Sequence, residues 1–66
     1  MNLADYRSKV IRHINDVYDP SIYTNYDGFK MSNVKKIIAD AWRDGSTIKD
    51  AVEKVSEYLH KLALKG

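Results

Sequence analysis

At 66 residues the chain is one domain at most, and folding at that size buries only about 60% of the surface the unfolded chain exposes. It has no cysteine, which excludes disulfides and thiolate metal sites as staples and leaves efficient helix packing, self-association or docking on a larger protein. Apolar residues at 44% and charged residues at 30% suit a folded domain rather than a disordered one, and a net charge of +2 is far from the basic stripe of a dedicated nucleic-acid binder.

The first segment runs from about residue 3 to residue 18. Leu3, Tyr6, Val10, Ile14 and Val17 recur at three- and four-residue spacing, with Ile11 and Tyr18 widening the stripe; that is the period of one helix face. Asp5, Ser8, Lys9, Arg12 and Asp16 fall opposite. Asn2 can cap the start, and Asp5 stands in the first turn, where the helix dipole favours negative charge. Pro20 stops the helix by Tyr18 or Asp19, because a residue before proline is pushed out of the α region.

Residues 19–31 read as an ordered loop. The stretch from Val17 to Met31 holds three of the five tyrosines, the only phenylalanine and the only proline. Ile22-Tyr23-Thr24 and Phe29-Lys30-Met31 flank Asn25-Tyr26-Asp27-Gly28, which would suit a stub hairpin. A connection this long and aromatic in so small a protein has a packing reason or a binding reason. Tyrosine mixed with serine, asparagine, glycine and aspartate is the composition of adaptable recognition surfaces, where tyrosine gives large contact area at small entropic cost. In the packing alternative, Ile22, Phe29 and Met31 fold back over the open end of the bundle while the tyrosines lie flat with wet hydroxyls.

The second helix is expected over about 33–44, capped by Ser32 or Asn33. Val34, Ile37, Ile38 and Ala41 form its stripe, Trp42 stands on one edge, and Lys36, Asp40 and Arg43 face outward. Asp44-Gly45 ends it, since glycine accepts the left-handed conformation that closes a helix. The third helix is expected over about 47–64. Thr47 with Asp50 resembles a capping box, with Asp in place of the usual Glu or Gln. Ile48, Val52, Val55, Leu59 and Leu62 carry its stripe, flanked by Ala51, Tyr58 and Ala63. Asp50 to Lys54 and Glu57 to Lys61 are acid-first pairs four apart. Three amphipathic helices that cannot shelter their own stripes predict an all-α three-helix bundle, with a tight glycine turn between the second and third.

Ala41-Trp-Arg-Asp-Gly45-Ser-Thr-Ile-Lys-Asp-Ala51 invites a helix-turn-helix reading, because alanine four residues before a turn glycine allows two helices to cross closely. Ser46 stands where an apolar residue is usual, and Ala51 where Val or Ile is usual. The would-be recognition helix offers Lys49 beside Asp50 and Glu53, and lacks the asparagine or glutamine that reads adenine. A basic patch from Lys35, Lys36 and Arg43, helped by Lys30, has Asp40 and Asp44 among it. The first 33 residues carry four charges of each sign and the rest seven basic against five acidic, a faint tilt.

Glu57 and His60 have the spacing of bundle-core carboxylate metal sites, but the other helix interiors supply no further carboxylate. Asp19, Asn25, Asp27 and Gly28 lack the alternating ligand spacing of a calcium loop, and Val34 or a neighbour occupies the place of its closing glutamate. No nucleophile arrangement and no glycine-rich phosphate loop is present, so no metal, cofactor or catalytic residue is assigned. No apolar run approaches the roughly 20 residues that span a bilayer, and Met-Asn-Leu-Ala-Asp-Tyr-Arg has neither a charged leader nor an apolar core of a secretory signal; a cytoplasmic protein is expected.

The function these features favour is non-catalytic protein–protein interaction through Tyr23, Tyr26, Phe29 and Trp42. Such a chain would be an adaptor, subunit or small inhibitor of a larger machine, including those encoded by phages and mobile elements. The alternative is a small dimeric DNA-binding regulator using Lys35, Lys36, Arg43 and Lys49. Self-association through the regular stripe of the last helix is a third option.

Overall fold

The computed structural model describes residues 1–65. Four helices follow in order: α1 (Leu3–Val17), α2 (Pro20–Tyr23), α3 (Met31–Arg43) and α4 (Ile48–Lys65), with no strand among the described residues. The three long helices form the predicted all-α bundle. The Asn2 side chain caps α1 by accepting from the Asp5 N–H at 2.8 Å, and α1 ends at Val17, before Pro20.

Directions follow from where side chains meet. The Tyr6 hydroxyl, near the start of α1, donates to the carbonyls of Ser46 (2.9 Å) and Thr47 (3.2 Å), just before α4. Leu62, near the end of α4, lies 3.7 Å from where a Cβ on Gly28 would stand, beyond the end of α1. So α1 and α4 run parallel, and α3 returns between their two ends. The Tyr58 hydroxyl accepts from the Lys30 N–H and the Asn33 amide at the start of α3, both at 3.2 Å. Tyr58 is ten residues into α4, about 15 Å along it at 1.5 Å per residue. A helix pair crossing near a right angle would hold those two points far apart. The α3–α4 unit is therefore an antiparallel hairpin, not the open corner of a helix-turn-helix.

Its turn is built as the sequence indicates. The Ser46 N–H reaches the Ala41 carbonyl (2.9 Å) and the Gly45 N–H the Trp42 carbonyl (3.1 Å), the paired bonds of a Schellman motif. This requires Gly45 at φ +74°. Thr47 then caps α4, its hydroxyl accepting from the Asp50 N–H at 3.1 Å. Ala41 and Ala51 are fully buried on either side of the turn; their small side chains let α3 and α4 approach there.

Three expectations are corrected. The connection over 19–31 is not all loop: Pro20–Tyr23 is one helical turn. Proline ends α1 and also suits the first position of the next helix, where its missing N–H costs nothing; the Asp19 carboxylate caps that turn by accepting from the Ser21 N–H and hydroxyl. The stub hairpin does not form; the Phe29 N–H instead closes a tight turn on the Tyr26 carbonyl at 3.0 Å. And α3 starts at Met31, earlier than expected, with Lys30 at the N-cap and no side-chain cap; Ser32 and Asn33 lie inside its first turn, and the Asn33 amide donates to the Tyr58 hydroxyl.

The core is Tyr6, Val10 and Ile14 of α1, Val34, Ile38 and Ala41 of α3, and Ala51, Val55, Leu59 and Leu62 of α4, joined by Tyr23 of α2. On α4 the buried line is shifted toward Ala51, leaving Ile48 and Val52 half-buried. The acid-first pairs on α4 are not closed: among the described residues the one ion pair is Arg43–Asp40 at 2.9 Å.

Candidate functional site

The aromatic residues proposed for partner binding do not form one surface. Tyr23 is 4% exposed. Its ring packs against Phe29, with centroids 5.4 Å apart, and Phe29 in turn faces Tyr58 at 6.4 Å. Its hydroxyl donates to the Asn15 side-chain oxygen at 2.6 Å, which satisfies the polar end at the core edge, and burial raises the phenol above its ordinary pKa. Tyr23 is thus a core residue; its assignment as a contact residue is withdrawn. Phe29 and Tyr26 are half-buried against the core.

Trp42 lies elsewhere. It is 38% exposed, and its indole N–H donates to the Met1 carbonyl at 3.1 Å, at the start of α1. Tyr23 is tied to Asn15 near the opposite end of that helix, about 20 Å away by helix rise. The four rings are divided between the two ends of the bundle. The connection packs as a lid, with Phe29 folded back as in the packing alternative; Ile22 stays exposed at 56%, and the ring that goes deepest is a tyrosine.

The alternative basic residues do not converge either. Lys36 and Arg43 share a face of α3 two turns apart, but Asp40 between them closes on Arg43. Lys35 is exposed on the same helix, while Lys49 belongs to a different face, between α1 and α4. His13 and His60 are both exposed, and among the described residues no group of three His, Asp or Glu side chains gathers as metal ligands would.

The feature that stands out is a groove of about 500 Å³ between α1 and α4. It is lined by the apolar side chains of Val17, Ile48 and Val52, with His13 and Asp16 from α1 and Lys49 and Glu53 from α4. Val17 is 72% exposed although it continues the buried stripe of Tyr6, Val10 and Ile14. Among the described residues the side chains of His13, Asp16, Lys49 and Glu53 make no ion pair and no side-chain hydrogen bond. The helical period hides this groove, because Val17, Ile48 and Val52 all fall on the apolar stripes, yet Val17 is exposed while Ile48 and Val52 are only half-buried against the core. The usable signal was stripe width: α4 carries Ile48 and Val52 alongside Ala51, Val55, Leu59 and Leu62, more apolar surface than one facing helix covers.

No protein-family model, curated protein or solved structure matches this chain. Among the described residues no helix is long and apolar enough to cross a membrane.

Proposed function

We propose that this chain is a non-catalytic protein-binding module, an adaptor, subunit or small inhibitor of a larger protein, and that it docks through the groove between α1 and α4. The observation that carries the proposal is the apolar lining, Val17 72% exposed beside half-buried Ile48 and Val52, next to charges of both signs that have no partner among the described residues. Apolar surface rimmed by polar groups is where proteins dock on one another. A DNA-binding role draws no comparable support: α3 and α4 lie back to back, so α4 does not stand out as a recognition helix, and Asp40 offsets the α3 cations.

Affinity capture from the native cell, with tagged wild-type protein beside Val17→Glu, tests the assignment. Partner proteins recovered with the wild type should be lost with the groove variant and retained by a Lys35→Ala, Lys36→Ala double variant. Raising the salt should weaken capture only modestly, whereas a nucleic-acid complex making several phosphate contacts would fall steeply. Identical recoveries from wild type and Val17→Glu would show that the groove is not the docking surface.

A further inference from the structure

We propose that the Asp27–Gly28 peptide is a site of spontaneous backbone modification, aspartate becoming isoaspartate, and that the change loosens the aromatic lid. The chain has two Asp–Gly steps, Asp27–Gly28 and Asp44–Gly45. All four residues are exposed, and both glycines have positive φ, +82° at Gly28 and +74° at Gly45. Residue type, exposure and backbone region therefore do not separate the two steps. Hydrogen bonding does. The Gly45 N–H donates to the Trp42 carbonyl at 3.1 Å, beside the Ser46–Ala41 bond of the same helix stop. Among the described residues neither the Gly28 N–H nor the Asp27 carbonyl makes a hydrogen bond, and the Asp27 carboxylate has no partner either.

The reaction draws on this chain and water alone. The Gly28 nitrogen gives up its proton to solvent and attacks Cγ of the protonated Asp27 carboxyl. The N–Cγ bond forms, the carboxyl hydroxyl leaves as water, and a five-membered succinimide closes. Holding nucleophile and carbonyl within one short segment favours that step, and glycine, lacking a side chain, lets the nitrogen approach. Water then adds back. Addition at Cγ restores aspartate. Addition at the former backbone carbonyl breaks its bond to the Gly28 nitrogen, so the chain runs through Cγ and the old backbone carbon becomes the free carboxylate. The water lost is the water regained, and the mass is unchanged. At Asp44 the same closure must first turn the peptide away from Trp42 and open the helix stop.

The consequence follows from what the turn holds. The Phe29 N–H closes it on the Tyr26 carbonyl at 3.0 Å, which sets Phe29 between Tyr23 and Tyr58 and Gly28 over Leu62. Isoaspartate inserts a methylene into the backbone inside that turn, and the longer path disturbs both contacts.

Peptide mapping of the purified full chain, aged at neutral pH and physiological temperature, reads the isomer at each site as a peptide of unchanged mass and shifted retention. In the folded protein it should accumulate at Asp27 at least about tenfold faster than at Asp44, about 1.4 kcal/mol of protection from the bonds that hold Gly45. In concentrated urea the two sites should react alike. Asp27→Asn and Asp44→Asn give the same comparison by mass, since ammonia then leaves in place of water. Aged wild type should melt below fresh protein, whereas Asp27→Glu, where closure needs a larger ring, should melt unchanged on ageing. Equal rates at the two sites of the folded chain overturn the proposal. So does a preference for Asp27 that persists in urea, or no isomer at Asp27 by the time the unfolded chain has formed it. Isomer-rich protein that melts as fresh protein does refutes the link to the lid.

Discussion

Replacing Tyr23 separates a lid built into the core from a contact loop that is free. The ring is 4% exposed and stacked on Phe29, so truncation to alanine removes a core aromatic, a change that costs about 3–5 kcal/mol. At about 0.05–0.15 kcal/mol per residue, a domain of 66 residues has roughly 3–10 kcal/mol in total. Tyr23→Ala should therefore leave the protein largely unfolded or close to it. Tyr23→Phe keeps the ring and removes only the hydroxyl bond to Asn15, whose side chain is exposed and can turn to water. That loss is about 1 kcal/mol, a fall in Tm of about 4–8 °C for a domain this small. Tyr26→Ala, at a half-buried ring with no side-chain hydrogen bond among the described residues, should cost about 1 kcal/mol by partial loss of apolar burial. Urea and thermal unfolding followed by far-UV circular dichroism give all three values. If Tyr23→Ala came within about 0.5 kcal/mol of wild type, the scale of an ordinary surface substitution, the lid would not be part of the core.

Other substitutions probe the joints that set the helix directions. Tyr6→Phe removes the bonds to the Ser46 and Thr47 carbonyls and should cost about 1 kcal/mol in urea denaturation. Burial raises the Tyr6 phenol, with the Asp50 carboxylate adding to the effect, and burial alone raises Tyr23. A phenol whose folded pKa exceeds its unfolded value contributes stability that is intact below the unfolded value of about 10 and is lost as pH rises toward the folded one. The urea midpoint should accordingly drop above about pH 10, and a Tyr6→Phe, Tyr23→Phe double variant should show a shallower drop; an equal slope would locate the alkaline sensitivity elsewhere. Gly45→Ala places a side chain at φ +74° with open space around it, so backbone strain alone should cost about 1–2 kcal/mol, with Gly45→Asn less damaging in the same assay. Thr47→Ala removes the α4 cap and should lower stability by about 1 kcal/mol.

The bundle was legible because its signals are local. Asn2, Pro20, Gly45 and Thr47 mark helix ends by hydrogen bonds and backbone angles that involve neighbours within a few positions, and Val10, Ile14, Val34, Ile38, Val55 and Leu59 keep the helical period. The connection was less legible because its outcome depends on distant partners. Whether Tyr23 turns inward is decided by Asn15, Phe29 and, through Phe29, Tyr58, and no spacing in the sequence states where those groups meet. Pro20 carried two meanings, the end of one helix and the start of the next, and only the first was read. The groove escaped for the opposite reason. Val17, Ile48 and Val52 obey the core period, and the period does not say which apolar residues lack a facing helix; that depends on how three helices share their sides.

The claim at the centre of this account is that α1 and α4 offer the contact surface while the aromatic connection closes the core. Site-specific photo-crosslinking in the native cell tests it most directly, with a benzophenone side chain placed at Val17 in one variant and at Tyr26 in another. A discrete crosslinked adduct is expected from position 17, to a second copy or to another protein, and none above background from position 26. An adduct from position 26 with position 17 silent would contradict it.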